Sequence, residues 1–181
     1  MECPDDLDEL ARRGLAILEP EIAKRDARRH PDFGKHYTFG CFQYDYLPDQ
    51  GYVALHFTNA LAPDSPFDHM PALFDSLGRI IDEIIERGHT VDRIGCDSWM
   101  DNLPPFQACF PPAFAASATP TDPDSKNGYG WWGQFVDRHG NLHLRRADLL
   151  KQTGRFWYSR MHAECPWPDF VDHVRTHRPI T

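Results

Sequence analysis

The segment SPFDHMPALFDSLGRIIDEIIERGH, residues 65 to 89, constrains the fold of this chain more than any other stretch. Leu73, Leu77, Ile80, Ile81, Ile84 and Ile85 return at helical spacing, and an apolar stripe of that kind must be buried against a partner layer. Pro66 or Pro71 suits a first helical turn, where a missing N–H costs nothing. Gly88 stands where a helix closes on a left-handed residue. The pattern predicts one long amphipathic helix ending near Arg87.

The flanks of this helix select the architecture. Before it run HYTFGCFQYDYL (36–47) and GYVALHFTNA (51–60), rich in aromatic and β-branched residues and separated by the turn signal PDQG. They read as a hairpin, with Val53, Leu55 and Phe57 on one face of its second strand and Ala54, His56 and Thr58 on the other. After the helix comes TVDRIGCDSWM (90–100), again strand-like. Strand, helix, strand is a β-α-β crossover, which places the 52–60 and 91–99 strands side by side, parallel, and joined right-handedly.

The remaining segments add helices and a second hairpin. Residues 5–29 have a helical period interrupted at Pro20, and end in the basic cluster KRDARRH (24–30), which reads as a solvated helix end. Asn102 is placed to cap a short helix opened by Pro104 and stopped by Pro111 and Pro112. The stretch 117–128 is polar and turn-rich. GWWGQFVDRHGNLHL (130–144) reads as a hairpin turning at Arg138 to Asn141, RRADLLKQTG as a short helix and PDFVDHVRTH as a last one. The expected fold is α/β (α+β): a mixed, largely antiparallel sheet with one parallel β-α-β crossover. At 181 residues it is expected as a single domain over 1–181. Within it, 1–35 forms an N-terminal helical segment, 36–146 the core and 147–181 a C-terminal helical segment.

Composition removes several classes of function. The formal net charge of −8 argues against nucleic acid as a partner, because phosphate binding needs cationic surface. Cys3, Cys41, Cys96, Cys109 and Cys165 are odd in number and form no CxxC, so neither a disulfide framework nor a zinc finger is expected. Met1 is followed by acids rather than an apolar run, and no stretch approaches membrane-spanning length. These features describe a reduced cytoplasmic protein with no membrane partner.

Candidate chemistry concentrates in RIGCDSWMDNLPPF, 93–106. On adjacent parallel strands, Cys96 and His56 could approach as a nucleophilic pair, although a strand cysteine is more often core. Asp97 points away from Cys96 if the strand alternates. Ser98 lacks the glycines of an exposed nucleophile elbow and reads as a pocket hydroxyl. Of Trp131 and Trp132 one is expected in the core, the other beside Trp99 as a pocket wall with Gln134. His139, His143 and the HAEC of 162–165 offer metal-ligand types, but no spacing completes a site, and no metal is expected.

The succession of hairpin, long helix, parallel strand, short helix and hairpin over 36–146 resembles the GNAT acyltransferase fold. ALHFTNA, SLGRIIDEI and GCDSWMDNLPPF resemble atypical GNAT-like C-terminal domains, in which a C-x-S-W strand follows the helix. The resemblance implies acyl transfer to an amine or hydroxyl acceptor, a small-molecule substrate, at the point where two parallel strands splay. It implies His56 or Asp97 as the base, and N–H groups near Asn59 and Asn102 polarising the acyl carbonyl. Trp99 and Trp132 would enclose the substrate. Acyl-CoA is the donor it implies, yet the junction TNALAPDSPFDHM (58–70) has no glycine where that family carries Q/R-x-x-G-x-G/A. The string SKNGYG (125–130) is the nearest substitute. The residues leave donor, acceptor and oligomeric state open. Two rival readings stand beside transfer: a hydrolase or lyase using Cys96 and His56, and a non-catalytic small-ligand-binding or accessory protein.

Overall fold

The structure, a computed structural model, describes residues 37–121 and 129–179, with Arg12 and Ala16 as isolated helical positions. The chain divides into two compact units, Met1–Lys35 and His36–Thr181. Apart from Arg12 and Ala16, the helix expected over 5–29 lies outside the described residues, as does its basic cluster. The sheet and the helices packed on it belong to the second unit.

A mixed six-stranded sheet has the order β1-β2-β3-β4-β6-β5. Its strands are β1 Tyr37–Phe39, β2 Phe42–Leu47, β3 Tyr52–Phe57, β4 Arg93–Ser98, β5 Thr119–Pro120 and β6 Met161–Pro166. Neighbours are antiparallel except β3 and β4, which are parallel with Val53 beside Ile94 and Leu55 beside Cys96. The run 36–47, expected as one strand, is two. Gly40, at φ 55°, turns the chain so that Phe39 pairs with Phe42. A left-handed first turn residue is what a two-residue hairpin requires, and a Cβ there would also collide with the Ser76 hydroxyl.

The crossover helix α1, Met70–Glu86, follows a 3-10 turn over Pro66–His69, so both prolines open helical turns. Leu73, Leu77, Ile80, Ile81 and Ile84 are buried, each worth about 1.5–3 kcal/mol against exposure. Ile85 departs from the expected stripe and is exposed. Past Arg87 the Gly88 N–H donates to Ile85 O and the His89 N–H to Ile84 O, a Schellman closure on the left-handed Gly88. The inward sheet face (Val53, Leu55, Ile94, Cys96, Ala163, Cys165) forms one core with α1, with Phe106, Phe110 and Phe114, and with Phe170 and Val174.

The segments after β4 depart most from the sequence reading. Residues 99–102 form a 3-10 turn instead of continuing the strand. Leu103, not Asn102, precedes α2, Pro104–Gln107, and Pro112 opens α3, Pro112–Ser117, rather than only ending what came before. Tyr129–Trp132 (α4) and Gly133–Phe135 are helical, so the expected second hairpin shrinks to a single bridge, Val136 to Leu142. Burial of Trp131 and Gln134 decides this conformation over the β preference of the aromatics. Helices α5, Leu144–Thr153, and α6, Trp167–His177, lie where expected. Between them β6 had no counterpart in the sequence reading. It pairs along the whole of β4, so the segment 147–181 is partly sheet. Among the described residues no helix is long and apolar enough to cross a membrane.

Candidate active site

The parallel ladder stops early. Its last pair is Leu55 with Cys96, yet β3 runs on to Phe57 and β4 to Ser98. Over those residues β3 stays with β2 (Phe57 opposite Phe42) and β4 with β6 (Ser98 opposite Met161). The sheet therefore parts between its two parallel strands at their C-terminal ends. Local chemistry holds it open. The Ser98 N–H turns to Asp101 Oδ2 at 3.1 Å, and Ser98 Oγ accepts the Met100 N–H, a capping box that bends β4 into its 3-10 turn. On the other side the Phe57 ring meets Phe42 and Phe106 edge-on, with centroids at 5.1 and 5.5 Å, and stacks on Phe67.

Strand alternation assembles polar groups on the sheet face opposite the core. His56 Nε2 lies 2.9 Å from Asp45 Oδ2, on the β2–β3 side of the parting. On the β4–β6 side Asp97 Oδ1 faces His162 Nδ1 at 3.4 Å and Arg160 Nη2 at 3.7 Å. His162 Nε2 faces Glu164 Oε2 at 3.5 Å, and Glu164 Oε1 accepts from Arg93 at 2.7 Å. Two carboxylate–imidazole pairs thus flank the gap, one on each lip. A carboxylate behind an imidazole fixes its tautomer and orientation and favours the cation formed on proton uptake. Deeper on this face the Tyr52 hydroxyl lies over Gly95. Burial, then Asp97 and Glu164, hold its proton well above the ordinary phenol range, so it remains a neutral donor.

The residues singled out from sequence are distributed unevenly. Cys96 and His56 do not form a pair: Cys96 is buried beside Leu55, and His56 projects from the other face. Burial pushes the Cys96 thiol well above its usual range, and Asp101 and Asp97 add to this, the opposite of what a nucleophilic thiolate needs. Asp97 and His56 do share a face, on opposite lips of the gap. Asn59 is occupied within its own turn, donating to Asp64 O and accepting from Leu61 N–H. Asn102 donates to Trp99 O and Ser159 O. Gln134 is fully buried, donates to Trp131 O and Tyr158 O, and accepts from Tyr158 N–H. Ser98, Asn59, Asn102 and Gln134 all spend their side chains on the backbone. Trp99 stacks on Tyr158 at 5.7 Å, with the Arg146 guanidinium 5.2 Å from each ring. Trp132 instead joins Phe135 and Phe156 and is 46% exposed.

Sequence reasoning missed Asp45, Tyr52 and Arg160, and weighed His162 and Glu164 only as metal-ligand types. For the last two the signal was present. In Met161–His162–Ala163–Glu164–Cys165 apolar and polar residues alternate at strand period, which puts His162 and Glu164 on one face. Among the described residues no group of three or more His, Cys, Asp or Glu is placed to hold a metal ion.

The residues at the start of α1 do not fit the diphosphate of the implied acyl-CoA. Pro66 and Pro71 occupy first-turn positions without N–H groups, Asp68 lies in the first turn of the 3-10 helix, and His69 faces Asp64 at 3.4 Å. An anion site at a helix start needs free amides and no competing carboxylate.

No protein-family model and no curated protein sequence matches this chain. Among solved structures it is similar to an acyltransferase in complex with decanoyl-CoA and teicoplanin. That match has 22% identity and a TM-score of 0.44, over 75% of this chain and 47% of the other. It is also similar to an acyltransferase mutant in complex with octanoyl-CoA, at 21% identity and a TM-score of 0.43, over 74% and 47%. The chain spans about half the length of either acyltransferase.

Proposed function

We propose that this protein transfers an acyl group to an amine or hydroxyl of a small molecule, at the parting between β3 and β4. One observation carries the reading: the ladder ends at Leu55 and Cys96 while an oriented imidazole, His56 on Asp45, stands at the lip. A gap between parallel strands leaves backbone N–H and C=O groups for the polar atoms of an acyl donor, its carbonyl among them. A carboxylate-backed histidine about half exposed is suited to take a proton from an acceptor. As general base, His56 takes the acceptor's proton as its nitrogen or oxygen attacks the carbonyl, and Asp45 steadies the resulting imidazolium. Asp97 is engaged by Arg160 and His162 and serves to hold positive charge at the opposite lip. Trp99, half-buried beside Tyr158, directly follows the end of β4 and offers an aromatic wall there. Cys41, Cys96, Cys109 and Cys165 are all unpaired and buried, which agrees with a reducing compartment.

The test is His56→Gln beside Asp45→Asn, assayed for acyl transfer to a panel of amines and alcohols. His56→Gln is expected to lower kcat by about 10²–10⁴-fold with little change in KM or melting temperature. Asp45→Asn should fall short of that loss. A folded His56→Gln protein with parental kcat would end this reading.

A further inference from the structure

Four amides of the connection from β3 to α1 are turned inward. Ala60 N–H donates to Thr58 O, Leu61 N–H to the Asn59 side chain, Asp64 N–H to Leu61 O and Asp68 N–H to Ser65 O. Pro63, Pro66 and Pro71 have no N–H to offer. The charge is also of the wrong sign for a phosphate. Asp64 and Asp68 are exposed here, and the imidazole of His69 is already opposite Asp64. A diphosphate arriving at this helix end would meet two proline positions without N–H groups and two carboxylates of its own sign.

Resting on the acyl-transfer reading, we infer that the donor is an acyl thioester recognised through a neutral thiol arm of the pantetheine type, with no diphosphate subsite at the start of α1. In the reaction the acyl C–S bond breaks as the C–N or C–O bond to the acceptor forms. The proton lost by the acceptor through His56 reappears on the departing thiol, so atoms and charge balance without a further reactant. The gap between β3 and β4 accepts the extended arm, and the acidic connection disfavours an anionic tail beyond it. A carrier bearing diphosphate has nothing to gain here from its charged portion.

The experiment compares octanoyl-CoA with S-octanoyl-pantetheine, which carry the same acyl group and thiol arm and differ in the phosphates. Affinity is measured by calorimetry, and thiol release with the same acceptor panel. In the parent the two donors should bind within about threefold of each other. In the Asp64→Asn, Asp68→Asn double variant octanoyl-CoA should gain roughly fivefold or more while S-octanoyl-pantetheine stays unchanged, because only the phosphates sense the removed charge. A parent that binds octanoyl-CoA about thirtyfold or more tightly than S-octanoyl-pantetheine overturns this inference and leaves acyl transfer standing. So does a double variant that treats both donors as the parent does. Binding of neither thioester, with no thiol released, overturns both.

Discussion

His56 and Cys96 stand on opposite faces of one sheet, although their strands are neighbours. Parallel register sets Leu55 beside Cys96, and one further step along β3 turns the next side chain over. The thiol is sealed in the core and holds its proton. Cys96→Ala should therefore keep full turnover and lose on the order of 1–2 kcal/mol of stability in urea denaturation, for the small cavity left behind. Abolished turnover in a folded Cys96→Ala protein would restore thiol chemistry.

Asp101 makes stability depend on pH. Burial, opposed by the Ser98 N–H and reinforced by Asp97, pushes its carboxyl up to about 8. In the unfolded chain it ionises near 3.9, so between these values the folded state holds one proton more than the unfolded. Its contribution is favourable at the acid end and is lost as pH rises, by at most roughly 1.4 kcal/mol per unit, levelling off above about 8. Asp101→Asn stays neutral and lacks this slope. Between about pH 5 and pH 8 its urea midpoint should improve steadily relative to the parent. A difference independent of pH would mean that the carboxyl titrates alike in both states.

Gly95 is the floor on which the Tyr52 side chain rests. A Cβ there would strike the Tyr52 hydroxyl, lie 2.6 Å from Ala163 O and 2.9 Å from Glu164 Cβ. Gly95→Ala should cost about 1–3 kcal/mol through overpacking. Adding Tyr52→Phe should recover part of this but not all, because the Ala163 carbonyl belongs to a paired strand and cannot withdraw. Denaturation midpoints of the single and double variants decide it, and complete recovery would place the strain in the tyrosine alone.

Leu77 and Ile85 sit on one helix and should respond oppositely to charge. Leu77 is fully buried and Ile85 is 54% exposed. Leu77→Asp places an unpaired charge in the core and should leave no soluble folded protein, whereas Ile85→Asp should change stability by about 0.5 kcal/mol or less. Comparable melting of the two variants would contradict the register of α1.

The crossover was legible because its signal is local and periodic. Five aliphatic residues of one helix face, between two strand-like runs, admit few other arrangements. Ile85 misled because it lies about 100° around the helix from Ile84, past the edge of the stripe. The strand β6 was overlooked because Ala163 and Cys165 are small, while His162, Glu164 and Cys165 suggested ligands before they suggested a strand. Trp131 and Trp132 look β-forming, and their helical state depends on Phe156, a contact only the folded chain makes. For the site, which face His56 and Asp97 occupy follows from strand period. Their partners, Asp45 and His162, follow from register between strands, and no local pattern encodes that.

The position of β6 also governs the order in which the molecule can be built. During synthesis β1 to β4 and the crossover helix emerge first, and until Pro166 has left the ribosome β4 ends the nascent sheet with a full row of unpaired amides and carbonyls. Only the late strand closes that edge and brings His162 to Asp97 in the same event. For that interval the growing chain is sticky along one side, and a pause in translation before residue 161 would give foreign strands time to add there.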